Sequence, residues 1–192
     1  MQIWAGLGNP GAQYAMHRHN VGFMAVDSIA EVHGFGAVRK QFQGWVQEGR
    51  IGAEKILLLK PATFMNDSGR SIGEALRFYK LDIDALTVFH DELDLAPFKI
   101  KVKTGGGTAG HNGLRSTDQH LGPDFRRVRI GIGHPWNCLR TAPKPWTSAI
   151  ESTAMNPTLC RCIAYCAPGL PSPAQICTVV PWLLMRGVRW CV

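Results

Sequence analysis

With 192 residues, 45% of them apolar, the chain has material for one domain of ordinary size with a real core, or for a domain plus an appendage. No basic segment followed by an apolar run stands at the N-terminus. The most apolar late stretch, residues 163–184, is interrupted by Pro168, Pro171, Pro173 and Pro181, so the expectation is a soluble, cytoplasmic protein without a membrane partner. The formal charge of +7 points to an anionic partner, nucleic acid first, yet residues 1–137 hold 16 Lys+Arg against 13 Asp+Glu, so a basic patch there must come from clustering.

In chain order, Gln2-Ile3-Trp4-Ala5-Gly6 reads as a first strand, and Gly6, Gly8 and Gly11 spell G-x-G-x-x-G directly after it. A dinucleotide site needs a helix opening at once and an acidic residue after a second strand; here Asn9-Pro10-Gly11 starts a turn and a loop runs on through Tyr14 to His17, so that reading is rejected. Asn20 is placed to cap a helix over residues 21–33 that Gly34 ends. His17 and His19 then stand just before a helix N-terminus, where the dipole favours a neutral imidazole of the kind a general base requires. A loop-filling or capping histidine fits either residue taken alone.

Residues 45–51 alternate as a strand, and Ile56-Leu57-Leu58-Leu59 form a buried one stopped by Pro61. Asp67 or Ser68 is placed to cap a helix carrying Ile72, Leu76 and Tyr79, which sets Met65 and Asn66 at a strand-to-helix junction, the usual ligand position of α/β folds. Ordinary turn chemistry explains Asn66 as well.

The stretch around which the chain is organised follows. Leu86-Thr87-Val88-Phe89-His90 is a β-branched, apolar run suited to a strand buried on both faces, and Asp91, Glu92 and Asp94 crowd three carboxylates into four residues behind it. An ionised carboxylate loses several kcal/mol on leaving water unless partners compensate it, so acid at the end of such a strand raises the question of what it faces. A solvated turn is the simpler alternative. Residues 98–103 alternate with every lysine on one face. Gly105-Gly106-Gly107-Thr108-Ala109-Gly110-His111-Asn112-Gly113 lets backbone amides approach a ligand but lacks the G-K-[ST] ending of a P-loop. A helix over residues 113–121 and a strand over residues 126–133 complete the pattern. Strands interleaved with helices give a three-layer α/β/α sandwich around a mixed, mostly parallel twisted sheet.

Taken together, Gly8-Asn9-Pro10-Gly11, Tyr14, Arg18-His19-Asn20-Val21-Gly22, Lys60-Pro61-Ala62-Thr63-Phe64-Met65-Asn66, His90-Asp91-Glu92-Leu93-Asp94, the glycine-rich run and Arg129-Ile130-Gly131-Ile132-Gly133-His134-Pro135 resemble the bacterial-type peptidyl-tRNA hydrolase. The resemblance runs in order over residues 1–135, about seven tenths of the chain. It implies a monomeric α/β enzyme, without metal or cofactor, that cleaves the ester joining a peptide to the 3′ ribose of tRNA at the acceptor stem, recycling tRNA released prematurely from ribosomes.

The same resemblance makes His19 the catalytic base and Asp91 its carboxylate partner. Asn9, Asn66 and Asn112 match the asparagines that hold the peptide and the reacting carbonyl, Tyr14 matches the tRNA-site tyrosine, and Met65 and His111 line the cleft. Lys103 and Arg129 match the basic pair that grips the tRNA 5′ phosphate. The chemistry agrees: a neutral imidazole takes a proton from water, a carboxylate fixes its tautomer, and amide groups stabilise the developing oxyanion. Two alternatives differ in kind: a catalytically silent RNA-binding relative, and a metal-dependent phosphate-ester hydrolase using the glycine loop. A metal site on His17, His19, His90 and Asp91 is disfavoured by spacing.

From Trp136 onward the resemblance stops, and Cys138, Cys160, Cys162, Cys166, Cys177 and Cys191 all lie in this part. The expected organisation is a hydrolase-like domain over residues 1–135 and an aberrant, poorly ordered Cys/Pro-rich tail over residues 136–192, produced by a change of reading frame near Pro135-Trp136. That tail predicts lowered stability and aggregation, or an inactive product. A zinc knuckle on Cys160, Cys162, Cys166 and Cys177 lacks paired C-x₂-C units.

Overall fold

A computed structural model describes residues 1–133. The strands are β1 (Gln2–Gly6), β2 (Arg39–Gln41), β3 (Gly44–Ile51), β4 (Glu54–Pro61), β5 (Leu86–Glu92), β6 (Ile100–Thr104) and β7 (Arg126–Gly131). The helices are α1 (Val21–Val32), α2 (Ser68–Tyr79) and α3 (Asn112–Leu121), and single 3-10 turns lie at Ala12–Tyr14, Arg18–Asn20, Met65–Asp67 and Ile83–Ala85.

The seven strands form one sheet in the order β2-β3-β4-β1-β5-β7-β6. Pairing is parallel for β4 with β1, β1 with β5 and β5 with β7, and antiparallel for β2 with β3, β3 with β4 and β6 with β7. β1, β2, β4, β5 and β7 therefore run one way and β3 and β6 the other. Alternation along each strand sends side chains to two layers. Trp4, Ile56, Leu58, Phe89, Val128 and Ile130 meet Val21, Ala25, Val26, Ile29 and Ala30 of α1. Ile3, Ala5, Leu57, Leu59, Leu86 and Val88 meet Ile72, Ala75 and Leu76 of α2 and Leu114 of α3 on the other face. The apolar runs in β4 and β5 are continuous because helices cover both their faces.

Two expected helix caps are not made. Asn20 and Asp67 occupy the N-cap positions of α1 and α2, yet neither side chain bonds the first turn. Asn20 instead clamps the backbone of Asn9: its Oδ1 accepts from Asn9 N at 2.9 Å and its Nδ2 donates to Asn9 O at 2.9 Å. A cap satisfies one orphan amide, whereas this pairing uses donor and acceptor together. Ser68 is the first helical residue and donates to Met65 O at 2.9 Å. The expected loop through Tyr14 contains a 3-10 turn. The lysine strand begins at Ile100, not Phe98, because Phe98 has φ +66°, outside the strand region.

α1 approaches the sheet through Gly22, where a Cβ would lie 2.4 Å from Leu7 O and 2.5 Å from Phe89 O. Gly22→Ala is expected to destabilise the chain by about 1–3 kcal/mol, read as a lower urea midpoint at unchanged m; a midpoint equal to that of the parent would show that the close approach is not limiting.

Among the described residues no helix is long and apolar enough to cross a membrane. The tail over residues 136–192, its boundary at Pro135 and the candidate zinc cysteines lie outside the described residues.

Candidate active site

The carboxyl ends of β1, β4 and β5 lie side by side because these strands are parallel, and the segments leaving them carry most of the sequence-derived candidates. β1 leads to Asn9, which Asn20 holds. β4 leads to the Met65–Asp67 turn with Asn66, and β5 ends in Asp91 and Glu92.

Asp91 sits at the centre. His19, in the turn just before α1, brings Nδ1 to 2.7 Å from Asp91 Oδ2, across 72 positions of chain. His111 brings Nε2 to 2.9 Å from Asp91 Oδ1. His111 is also the N-cap of α3, its Nδ1 accepting from Gly113 N at 3.1 Å and Leu114 N at 3.3 Å. Since Nδ1 accepts from two amides, the proton of that ring is assigned to Nε2, which donates to Asp91. The same carboxylate then takes Nδ1–H from His19, which leaves the Nε2 lone pair of His19 free. Burial works to raise the Asp91 pKa, but the hydrogen bonds and charges of His111 and His19 outweigh it and hold the carboxyl well below the usual range. His19 keeps 35% of its side chain exposed, whereas Asp91 keeps 9%, so the imidazole faces solvent and the carboxylate does not. The His17 ring stacks on His19 with centroids 5.2 Å apart.

Of the remaining candidates, Met65 lies close to this set. A Cβ at Gly113 would lie 2.7 Å from Met65 Sδ and 3.2 Å from His111 Cε1, which puts Met65 beside His111. Asn66 is exposed on its turn, Asn112 is the first residue of α3, and Tyr14 closes the first 3-10 turn at 40% exposure. No hydrogen bond among the described residues joins the side chains of Asn9, Tyr14, Asn66 or Asn112 to His19, Asp91 or His111. Lys103 and Arg129 lie on neighbouring strands, Lys101 opposite Arg129 and Lys103 opposite Arg127. Cross-strand neighbours share a face, so all four basic side chains stand on the side of the sheet away from Asp91. The Lys103 ammonium reaches over Gly106, where a Cβ would come within 2.8 Å of Nζ.

A family model described as peptidyl-tRNA hydrolase matches residues 3–148. The chain belongs to the peptidyl-tRNA hydrolase family. Relatives named peptidyl-tRNA hydrolase include that of Novosphingobium aromaticivorans, 82% identical over 135 residues that make up 70% of this chain and 71% of that protein. The protein of Erythrobacter litoralis is 77% identical with the same coverage. A crystal structure of the peptidyl-tRNA hydrolase of Acinetobacter baumannii superposes with a TM-score of 0.71 at 34% identity, covering 96% of this chain and 90% of that one. The Arg119Gln mutant from the same organism gives 0.68 at 44% identity, with 70% and 69% covered. As a peptidyl-tRNA hydrolase family member the chain is a hydrolase that cleaves the ester bond of peptidyl-tRNA, and its mixed seven-stranded sheet is the fold of those structures.

Three residues of this hydrolase make contacts that the sequence reading did not foresee. Arg127 is fully buried, donates Nη1 to Gly107 O at 2.8 Å and Nη2 to Pro123 O at 3.2 Å, and places its guanidinium 4.4 Å from the Phe125 ring centroid. It ties the glycine-rich loop to the segment before β7. Glu92 is buried against Arg129, its Oε2 accepting from Nε at 2.9 Å. His90 is buried, donates Nδ1 to Asp91 O at 2.8 Å and meets His111 edge-on at 5.2 Å between centroids. Alternation along β5 is the signal that separates these neighbours: Asp91 goes to one face, His90 and Glu92 to the other.

Burial, with His111 and Arg127 adding and the Asp91 contacts opposing, pushes His90 from 6.5 down to about 3. Between those values the unfolded chain carries a proton on residue 90 that the native chain does not. Native stability is therefore full above pH 6.5 and falls as pH drops toward 3, by about 1.4 kcal/mol per pH unit from this group. The Asp91 contribution has the same sign at lower pH, present above the ordinary carboxylate range and lost below it. Urea titrations from pH 6.5 to 4 should show a shallower loss in His90→Gln; a slope equal to that of the parent would contradict the assignment.

Proposed function

We propose that His19 is the general base of peptidyl-tRNA hydrolysis and that Asp91 orients it, with the asparagine amides of Asn9, Asn66 and Asn112 receiving the peptide and its reacting carbonyl. The His19 Nε2 lone pair takes a proton from a water molecule as the water oxygen bonds to the ester carbon. The carbonyl π electrons move to oxygen, where amide donors stabilise the developing charge. Asp91 stabilises the imidazolium while it lasts. Collapse of the tetrahedral intermediate breaks the bond to the ribose 3′ oxygen, which recovers the proton from His19. Products are a peptide carboxylic acid and a tRNA with a free 3′ hydroxyl.

Three amides, each donor and acceptor, suit a peptide backbone. Met65 and His111 wall the cleft, Tyr14 contacts the tRNA, and Lys103 and Arg129 take its 5′ phosphate, so that one acceptor stem is held at both strand ends. Phosphate contacts of this kind position without reading sequence. The reading includes action as a monomer in the cytoplasm with no metal or cofactor.

The observation that carries the proposal is the shared carboxylate of Asp91, taking one N–H from His19 and one from His111 at 2.7 and 2.9 Å. The test is release of peptide from peptidyl-tRNA by the full chain against His19→Ala. Release at equal rates would overturn the proposal.

A further inference from the structure

Asp91 and Glu92 are consecutive in β5, so their side chains leave the strand on opposite faces. The first meets two histidines. The second is buried and meets an arginine: Glu92 Oε2 accepts from Arg129 Nε at 2.9 Å, while Glu92 Oε1 accepts weakly from Asp94 N at 3.4 Å. His90 pairs with Arg129 and Glu92 with Gly131, which makes Glu92 and Arg129 diagonal neighbours on one face.

We infer that Glu92 is a positioning residue that aims the Arg129 guanidinium at the 5′ phosphate of the tRNA. The inference rests on the reading that Arg129 and Lys103 grip that phosphate. A buried ion pair is weak evidence for stability, since desolvation offsets most of the attraction. What it does fix is geometry. Arg129 is held by Nε, the edge away from its amino fork, and no group among the described residues takes Nη1 or Nη2. Those two nitrogens form the planar pair that matches two phosphate oxygens. Lys101, Lys103 and Arg127 stand on the same face, so one glutamate leaves the patch cationic. Because Asp91 and Glu92 are adjacent, the strand end also fixes the span between the ester site and the phosphate grip.

The experiment compares kcat/KM on peptidyl-tRNA carrying a 5′ phosphate with the same substrate after dephosphorylation, for the parent chain, Arg129→Ala, Glu92→Ala and Glu92→Gln. The parent prefers the phosphorylated substrate and Arg129→Ala does not. Glu92→Ala lowers the preference about tenfold, the scale of one hydrogen bond to a charged group. Glu92→Gln keeps an acceptor for Nε and keeps the preference. A merely structural Glu92 lowers both values by one common factor, leaving the ratio unchanged, and that result overturns the inference. Preference lost in Arg129→Ala but intact in Glu92→Ala overturns it too, with the phosphate reading standing. A parent chain indifferent to the 5′ phosphate overturns the phosphate reading and the inference with it.

Discussion

Replacing His19 with alanine lowers kcat for peptide release by about 10²–10⁴, the range of one positioned general base. KM changes little, because the residue acts on water and not on the peptide or the tRNA. The melting temperature also stays near that of the parent: the imidazole is about a third exposed, and its removal leaves Asp91 with the His111 donor. Rapid-quench measurement of released peptide, with the active fraction titrated, separates the chemical step from folding. A loss of less than about tenfold would remove His19 from the chemistry.

Asp91→Asn should cost as much for a different reason. His111 is fixed by the α3 N-terminus, whose amides occupy its Nδ1, so it presents only an N–H to residue 91. An asparagine there must turn its carbonyl oxygen toward His111 and its amino group toward His19. The His19 Nδ1 then has to accept, its proton moves to Nε2, and the lone pair that faced the water is gone. Loss of kcat of about 10³–10⁴ is expected, as for other bases forced into the wrong tautomer. Adding Asp91→Asn to His19→Ala should lower the rate little further, because the two residues act as a unit. Additive losses in the double variant would mean that Asp91 works through some group other than His19.

The parts of the fold legible in the sequence are those with strong periodicity. The apolar runs of β4 and β5 and the amphipathic spacing of α2 describe buried strands and a one-sided helix, and these stand where expected. β2 is three polar residues, Arg39–Gln41, and its strand character comes from pairing with β3, which no local pattern encodes. Asn20 had the chemistry of a cap and a better use: two bonds to Asn9, eleven residues earlier. Within the site, the resemblance supplied His19 and Asp91, and the structure joins them. It named His111 only as cleft lining, since neither its contact with Asp91, twenty residues away, nor its capping of α3 is visible along the chain. The bond between Glu92 and Arg129 stayed hidden likewise, because it joins two neighbouring strands that lie 37 residues apart in the chain.

Two histidines on one carboxylate, with their protons assigned to different nitrogens, form the arrangement from which the proposed base role of His19 follows. The most direct test is two-bond ¹H–¹⁵N correlation of the imidazole rings in the full chain at a pH where both are neutral. The expected result is a proton on Nδ1 of His19 and on Nε2 of His111, with the His19 pattern inverted in Asp91→Asn. A parent chain in which His19 carries its proton on Nε2 would contradict the account, since no lone pair would then face the attacking water.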